Sequence, residues 1–136
     1  MKVKISTKTA GEITINSVFK GDKLWKSSGK QENWNNHIIR VFHEGKKLSF
    51  EFWGSIMNPE NTTEQEVVFA LYCFLTDVQA GEQSFEEFCG EMGYDPDSMT
   101  AKRIFIACAR SAAKFNRVFD CDLYDLVNEI QETWEC

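Results

Sequence analysis

The residues of this chain that could carry out catalysis or bind a metal ion are few and widely spaced. The 136 residues include five cysteines and two histidines, His37 and His43. Zinc sites usually take ligands in pairs that are close together in sequence, and no two cysteines here form such a pair. The spacing gives almost no support to a zinc site built from scattered cysteines and a histidine. It predicts reduced thiols in a protein of the cytosol.

Motifs that mark enzyme active sites are absent from the sequence. It has no Gly-rich phosphate loop, GxSxG elbow, HExxH pair, EF-hand loop or dinucleotide fingerprint. Adjacent carboxylates such as Glu86 and Glu87 point to different sides of a helix and make a poor catalytic pair. The sequence therefore predicts a protein that is not an enzyme, without a catalytic residue, a metal or a cofactor. An enzyme of unfamiliar design stays open as an alternative.

Charge is distributed unevenly along the chain, which has a formal net charge of −6. Residues 1–50 carry a net charge of +6 and residues 51–136 carry −12. One interpretation is a solvated acidic surface on the second half. The other is an acidic face that binds a basic partner or imitates a nucleic acid. For that face we name acidic residues of a short helix and of the C-terminal helix: Glu86, Glu87, Glu91, Asp122, Asp125, Glu129 and Glu132.

A basic stripe is predicted on the long helix of the second half. Arg103, Arg110, Lys114 and Arg117 have spacings of seven, four and three residues, which place them within a narrow arc of a helix. They are either a solvated or salt-bridged face, or a stripe that contacts phosphates or a partner. No helix-turn-helix register accompanies them.

Two tryptophans lie in a polar segment, residues 21–36. Trp25 and Trp34 are interpreted as lids at the edge of the core. If they were exposed among Lys23, Lys26 and Lys30, they would also suit stacking on nucleic-acid bases.

The first part of the chain has the alternation of β-strands. Residues 2–20 predict a hairpin around a polar turn, and residues 21–36 predict a loop or an irregular strand. Residues 37–54 predict a second hairpin with its turn at Gly45-Lys46. His37 and His43 are expected on the surface of a strand, and the pattern does not show which face of the hairpin is buried.

Four helices are predicted after the strands. Thr63 and Glu66 form a capping box that begins a central buried helix over residues 63–80, which Gly81 ends in the left-handed conformation. Ser84 caps a short helix over residues 84–92. A long helix over residues 96–119 and an amphipathic acidic helix at the C-terminus follow.

The long helix is predicted to begin where Asp95 caps it and Pro96 takes its first position. Gly93 ends the short helix before it. The apolar stripe of the long helix is formed by residues spaced three or four apart: Ile104, Cys108, Ala112, Phe115 and Phe119.

These elements predict an α+β fold, in which a small antiparallel N-terminal sheet packs against about four C-terminal helices. We expect one domain over residues 1–136, with a β-rich part at 1–54 and a helical part at 62–135. No apolar run is long enough to span a membrane, and the N-terminus lacks the apolar core of a signal peptide. We therefore expect a cytoplasmic protein, of unknown oligomeric state.

The stretch that contains the short and long helices resembles small, mostly uncharacterised proteins of tailed bacteriophages and prophages. The shared pattern is carried by Phe85, Phe88, Cys89, Gly93, Tyr94, Asp95, Asp97, Ser98, Ile104, Ala107 and Cys108. The resemblance covers about residues 37–119 and implies a phage gene product that acts in the bacterial cytoplasm. It implies no catalytic residue.

Two functions are expected from these observations. The first is a non-catalytic phage protein that uses its acidic residues to bind and inhibit a host protein or nucleoprotein complex, such as the machinery of CRISPR interference. The alternative is an accessory protein that binds nucleic acid through Arg103, Arg110, Lys114 and Arg117.

Overall fold

The computed structural model describes residues 1–27, 29–55 and 62–133, except for the side chains of residues 23, 25–27, 30–33 and 54–55. The fold is α+β, with an antiparallel sheet followed by helices, as the sequence predicts. The strands are β1 (Lys2–Thr7), β2 (Gly11–Ser27), β3 (Lys30–His43) and β4 (Lys46–Ser55). The helices are α1 (Glu64–Gly81), α2 (Phe85–Met92), α3 (Met99–Val118) and α4 (Leu123–Thr133).

The four strands are hydrogen-bonded in chain order, β1-β2-β3-β4, and each is antiparallel to the next. Of the two alternatives predicted for residues 21–36, a loop or an irregular strand, the structure has the strand, because the pairing of β2 with β3 continues past a bulge at Phe19/Gly21 as far as Ser27 and Lys30. Two antiparallel strands satisfy each other's backbone groups without an apolar face, so this hairpin does not need the alternation that marks a half-buried strand. The side chains of Trp25, Lys23, Lys26 and Lys30 lie outside the described ones, and Trp34 is half-buried.

The sheet has a buried inner face and an exposed outer face. Ile13, Ile15, Ile39 and Val41 are at most 1% exposed and point towards the helices. The residues between them point the other way, because neighbouring residues of a strand face opposite sides. Helices α1, α3 and α4 supply the other side of this core.

The turn between β3 and β4 consists of Glu44 and Gly45, one residue before the predicted turn. Their φ angles are 48° and 78°, and the register pairs His43 with Lys46 across them. A two-residue hairpin turn whose two residues both have positive φ is of type I′, the type that matches the twist of the strands. Lys46 is therefore the first residue of β4 and not a turn residue.

Helix α1 begins as predicted, with the Thr63 hydroxyl accepting a hydrogen bond from the Glu66 N–H at 3.2 Å. Its end differs from the prediction. Glu82 follows Gly81 with a right-handed φ of −86°, so Gly81 does not end the helix in the left-handed conformation. A Cβ at Gly81 would lie 2.1 Å from the carbonyl oxygen of Cys108 in α3. Glycine is required here because α1 and α3 approach closely.

The short helix α2 is confirmed, with Ser84 as its N-cap and Gly93 at φ 74° after its last residue. Helix α3 begins later than predicted, at Met99, because the Ser98 hydroxyl accepts from the Ala101 N–H at 3.2 Å. Asp95 accepts from the Asp97 N–H at 2.9 Å instead, within the turn that precedes the helix. Pro96 therefore belongs to this turn.

A second, smaller cluster of buried residues joins α2 to the middle of the helical layer. It contains Phe88 and Cys89 of α2 and Ala101 and Cys108 of α3. Phe105 packs against this cluster, whereas Ile104, which the sequence places in the apolar stripe, is 37% exposed. The rest of that predicted stripe is buried. No helix among the described residues has the length and apolar character needed to cross a membrane.

The amphipathic stripe of the C-terminal helix is confirmed over its described length. Leu123, Leu126, Val127 and Ile130 are buried in the main core. Trp134 and Glu135, which the sequence assigns to the same helix, lie outside the described residues.

Candidate functional site

A groove with a volume of about 340 Å³ lies between the start of β4 and the last turns of α3. Four of its lining residues are basic: Lys46 and Lys47 from β4, and Lys114 and Arg117 from α3. Leu48, Ser49 and Val118 complete the lining. We call these seven residues the basic groove.

The local structure explains why these four cations meet. The Glu44-Gly45 turn places Lys46 and Lys47 at the first two positions of β4, which is an edge strand of the sheet. Lys46 is paired with the buried His43 and Lys47 with the exposed Phe42, so the two lysines flank the edge of the sheet from opposite faces. Lys114 and Arg117 are three residues apart on α3 and therefore project to the same side of the helix.

The hydrogen bonds of the groove leave most of its cationic groups available. The Lys114 ammonium donates to the carbonyl oxygen of Ser49 at 3.1 Å, which ties α3 to the sheet edge. The Arg117 Nε–H donates to Ala113 within its own helix at 3.3 Å. Within the described parts of the chain, no carboxylate lies within salt-bridge distance of any of the four cations. The salt-bridged interpretation of Lys114 and Arg117 is therefore not what this surface shows.

The dipole of α3 explains the presence of only some of the cations in the groove. The groove lies at the C-terminal end of α3, where a helix favours a cation, and Arg117 stands in the last turn. That explanation does not extend to Lys46 and Lys47, which belong to a strand. Their exposed side chains bring positive charge to the groove from a second element.

His43 is buried next to the groove and contacts Val118, one of the residues that line it. The sequence interpretation places His43 on the surface, but its side chain is 4% exposed. Its Nε2 lies 2.7 Å from the carbonyl oxygen of Ala10, and its Nδ1 lies 3.1 Å from that of Val118. The ring also stacks on Phe119, with centroids 4.5 Å apart. His43 therefore connects the β1–β2 turn, strand β3 and the end of α3.

All four residues of the predicted basic stripe lie on α3, and two of them line the groove. Arg103 and Arg110 are exposed further towards the start of the helix. From Arg103 to Arg117 the helix rises about 21 Å. Lys46 and Lys47 were missed by the sequence interpretation. Their position next to the hairpin turn was visible in the sequence, but the sequence does not show that α3 ends beside that turn.

The two groups of predicted acidic site residues lie on helices that pack in different places. Glu86, Glu87 and Glu91 are exposed on α2, which packs against α3. Asp122 precedes α4, and Asp125, Glu129 and Glu132 lie on it; α4 packs against α1 and β1. The two groups of acidic residues therefore lie on helices that have different main packing partners.

Some of these carboxylates have partners within the molecule. The Asp122 carboxylate accepts from the Asp125 N–H at 3.0 Å, at the start of α4. Glu129 accepts three hydrogen bonds from the β1–β2 turn: from the Lys8 N–H at 2.7 Å, the Thr9 N–H at 2.9 Å and the Thr9 hydroxyl at 2.8 Å. Burial acts to raise the pKa of Glu129, but these hydrogen bonds outweigh it and lower the pKa. Glu129 therefore helps to hold the fold together.

A serine–histidine pair on neighbouring strands was also missed. The Ser17 hydroxyl lies 3.2 Å from Nδ1 of His37, and both line a cavity of about 40 Å³ that Glu66 also borders. Desolvation lowers the pKa of His37, and Glu66 partly opposes this. The cavity has room for about two or three water molecules and none for an acyl substrate, and Ser17 is 5% exposed. The pair is a partly buried polar contact.

Cys73 and Cys108 have the environment of unreactive cysteines. Burial raises the pKa of the Cys73 and Cys108 thiols, and the charge of Asp77 raises both further. A raised pKa reduces the fraction of nucleophilic thiolate. No cluster of three or more potential metal ligands occurs in the described ranges 1–27, 29–55 and 62–133.

No family model, curated protein or solved structure matches this chain. The resemblance to phage proteins therefore remains a prediction from the residue pattern, and the function is argued from the geometry of the site.

Proposed function

We propose that this protein is a non-catalytic nucleic-acid-binding protein that holds the phosphate backbone in the basic groove and along α3. The observation that carries the proposal is the convergence of Lys46, Lys47, Lys114 and Arg117 on one groove, from two elements that are distant in sequence. In the described residues these cations have no carboxylate partner. An unpaired cluster of like charges favours an anionic ligand.

The length of the basic surface favours a polymer over a single phosphate group. Arg103 and Arg110 continue the positive charge along α3, over a rise of about 21 Å. This rise corresponds to roughly six phosphates of one strand of a duplex, at their axial spacing. A mononucleotide would contact the groove alone. The net charge of −6 opposes binding elsewhere on the protein, so we expect modest affinity with a steep dependence on salt.

The test is fluorescence anisotropy with labelled oligonucleotides of about 16 nucleotides, a length at the upper end of common site sizes. Binding is measured from about 50 to about 200 mM salt. The double variant K46Q/R117Q is compared with K8Q/K102Q, which removes the same charge from exposed positions outside the groove, the predicted basic stripe and the outer face of the sheet. The groove variant should lose most of the affinity, and its log–log salt slope should fall by about 1.4 for a single strand.

Lys114 is left intact in this test because it also bonds to the Ser49 carbonyl. Two results would overturn the proposal: no binding of any oligonucleotide at the lowest salt, or an equal loss in the groove variant and its charge-matched control.

A second candidate function is the inhibition of a host protein complex in the bacterial cytoplasm, including a nucleic-acid-handling defence complex. It is favoured by Glu86, Glu91, Asp125 and Glu132, whose side-chain carboxylates have no hydrogen-bond or ion-pair partner in the described chain. A tagged pull-down from bacterial lysate, with and without nuclease, separates the two functions. A stoichiometric protein partner that survives nuclease, and is lost when these four charges are reversed, would favour inhibition over nucleic-acid binding.

A further inference from the structure

The outer face of the sheet continues from the basic groove. Lys47 lines the groove and, by register, lies beside Phe42 of β3 on the outer face. Phe42 is 39% exposed, and Arg40, two residues before it, is exposed on the same face. Further along, Ile38 is paired with Val18, and Trp53 is 42% exposed. The outer face therefore presents aromatic and aliphatic side chains that begin at the groove.

The charge of this face indicates the chemistry of its ligand. Among the described side chains of this face, the basic residues are Lys2, Lys4, Lys20, Arg40 and Lys47, and the carboxylates are Glu12 and Glu51. Glu51 lies 3.9 Å from Lys20, so this pair contributes no net charge. The remaining excess of positive charge disfavours a second copy of the same face and favours an anionic partner.

We propose that the outer face binds the bases of a single-stranded nucleic acid whose phosphates lie in the basic groove, with Phe42 stacking on the base nearest the groove. This inference rests on the proposed function and names its substrate class. Aromatic side chains on an exposed antiparallel sheet can stack on unpaired bases, and basic neighbours hold the backbone. Bases stacked inside a duplex do not offer their faces to such a side chain. Single strands should therefore bind more tightly than duplexes of the same sequence.

Substitutions at Phe42 test the stacking step without removing a cation. Phe42→Leu keeps an apolar side chain and removes the aromatic ring, whereas Phe42→Tyr keeps the ring. Binding is measured with a single strand, the matching duplex and an abasic strand of the same length, which has the phosphates without the bases. Deoxyribose and ribose versions of the single strand show which sugar is preferred. The matched control is Tyr124→Ala, which removes an aromatic side chain that is 67% exposed on α4.

We expect Phe42→Leu to weaken binding of the single strand about 10-fold, within the range measured for the loss of one stacked base. Binding of the abasic strand and the salt slope should not change, Phe42→Tyr should restore the affinity, and Tyr124→Ala should have no effect. The inference is overturned, and the proposed function stands, if the groove variant weakens binding but Phe42→Leu does not, or if the abasic strand or the duplex binds as tightly as the single strand. Absence of binding to all three ligands overturns both.

Discussion

The two faces of the sheet use the same strands for different purposes. In β3, Ile39, Val41 and His43 are buried against the helices, whereas Arg40 and Phe42 between them are exposed. The alternation of the strand separates residues that hold the fold from residues available to a ligand. The inner residues are fixed by packing and hydrogen bonds, and they position the outer ones. Substitutions on the helix side should therefore change stability first, and substitutions on the outer face should change binding first.

The helix side is connected to the strands by contacts of several kinds. Phe50 of β4 stacks on Phe74 of α1, with centroids 4.4 Å apart and planes 12° from parallel. Lys114 bonds to the carbonyl of Ser49 at the edge of the same strand. Because β4 also supplies two cations of the basic groove, the position of the groove depends on these packing contacts.

The largest effect is expected at the closest approach of two helices. In Gly81→Ala, the new Cβ would meet the carbonyl oxygen of Cys108 at 2.1 Å, and this oxygen is a backbone atom that a side-chain rotation cannot move. Forced overpacking typically destabilises a core by about 3 kcal/mol or less, and occasionally by more. We expect a loss of about 3 kcal/mol in the free energy of unfolding, measured by urea denaturation. The control is Gly90→Ala, where a Cβ has no neighbour within 4 Å. Equal stability of the two variants would mean that the helices separate without cost.

A smaller loss is expected when the buried histidine is replaced. His43→Leu replaces the imidazole with an apolar group of similar size and leaves the carbonyls of Ala10 and Val118 without their ring contacts. A buried group that loses its hydrogen-bond partner destabilises a protein by about 1–3 kcal/mol, so we expect a loss of about 2 kcal/mol in urea denaturation. His43→Gln, which retains N–H donors, should lose less. If both variants were as stable as the original protein, the ring contacts of His43 would not support the groove.

The elements of the fold could be predicted well where local chemistry determines them. Ser84 and Thr63 are caps because their hydroxyls accept from N–H groups three residues later, and this spacing is visible in the sequence. The start of α3 was misplaced because two segments, at Asp95 and Ser98, both have the residues of a cap. The far part of the β2–β3 hairpin was left open between a loop and an irregular strand because its pairing depends on backbone hydrogen bonds, which carry no side-chain pattern.

Only the part of the candidate site that lies on α3 could be predicted from the sequence. The spacing of Lys114 and Arg117 places both on one side of a helix, but their meeting with Lys46 depends on how α3 lies against β4. His43 was placed on the surface because strand alternation does not identify the buried face. Glu129 looks like any exposed acid of an amphipathic helix, and its bonds to a turn more than a hundred residues away depend on tertiary packing. Local periodicity cannot supply such information.

The smallest of the three effects is expected at Glu129 of α4, which accepts hydrogen bonds from the β1–β2 turn. Its folded-state pKa is lowered below the ordinary value of 4.5, so the carboxylate contributes stability above that value, and this contribution is lost as the pH falls through the folded pKa. Glu129→Gln should lose about 1 kcal/mol near neutral pH, since these hydrogen bonds are charge-assisted but lie near solvent. The difference from the original protein should shrink in urea denaturation below about pH 4. Glu132→Gln, one turn later and exposed, should show no such difference. If the loss of unfolding free energy in Glu129→Gln stayed constant with pH, the negative charge would not hold the turn. Glu129 would then be as available to a partner as the other acids of α4.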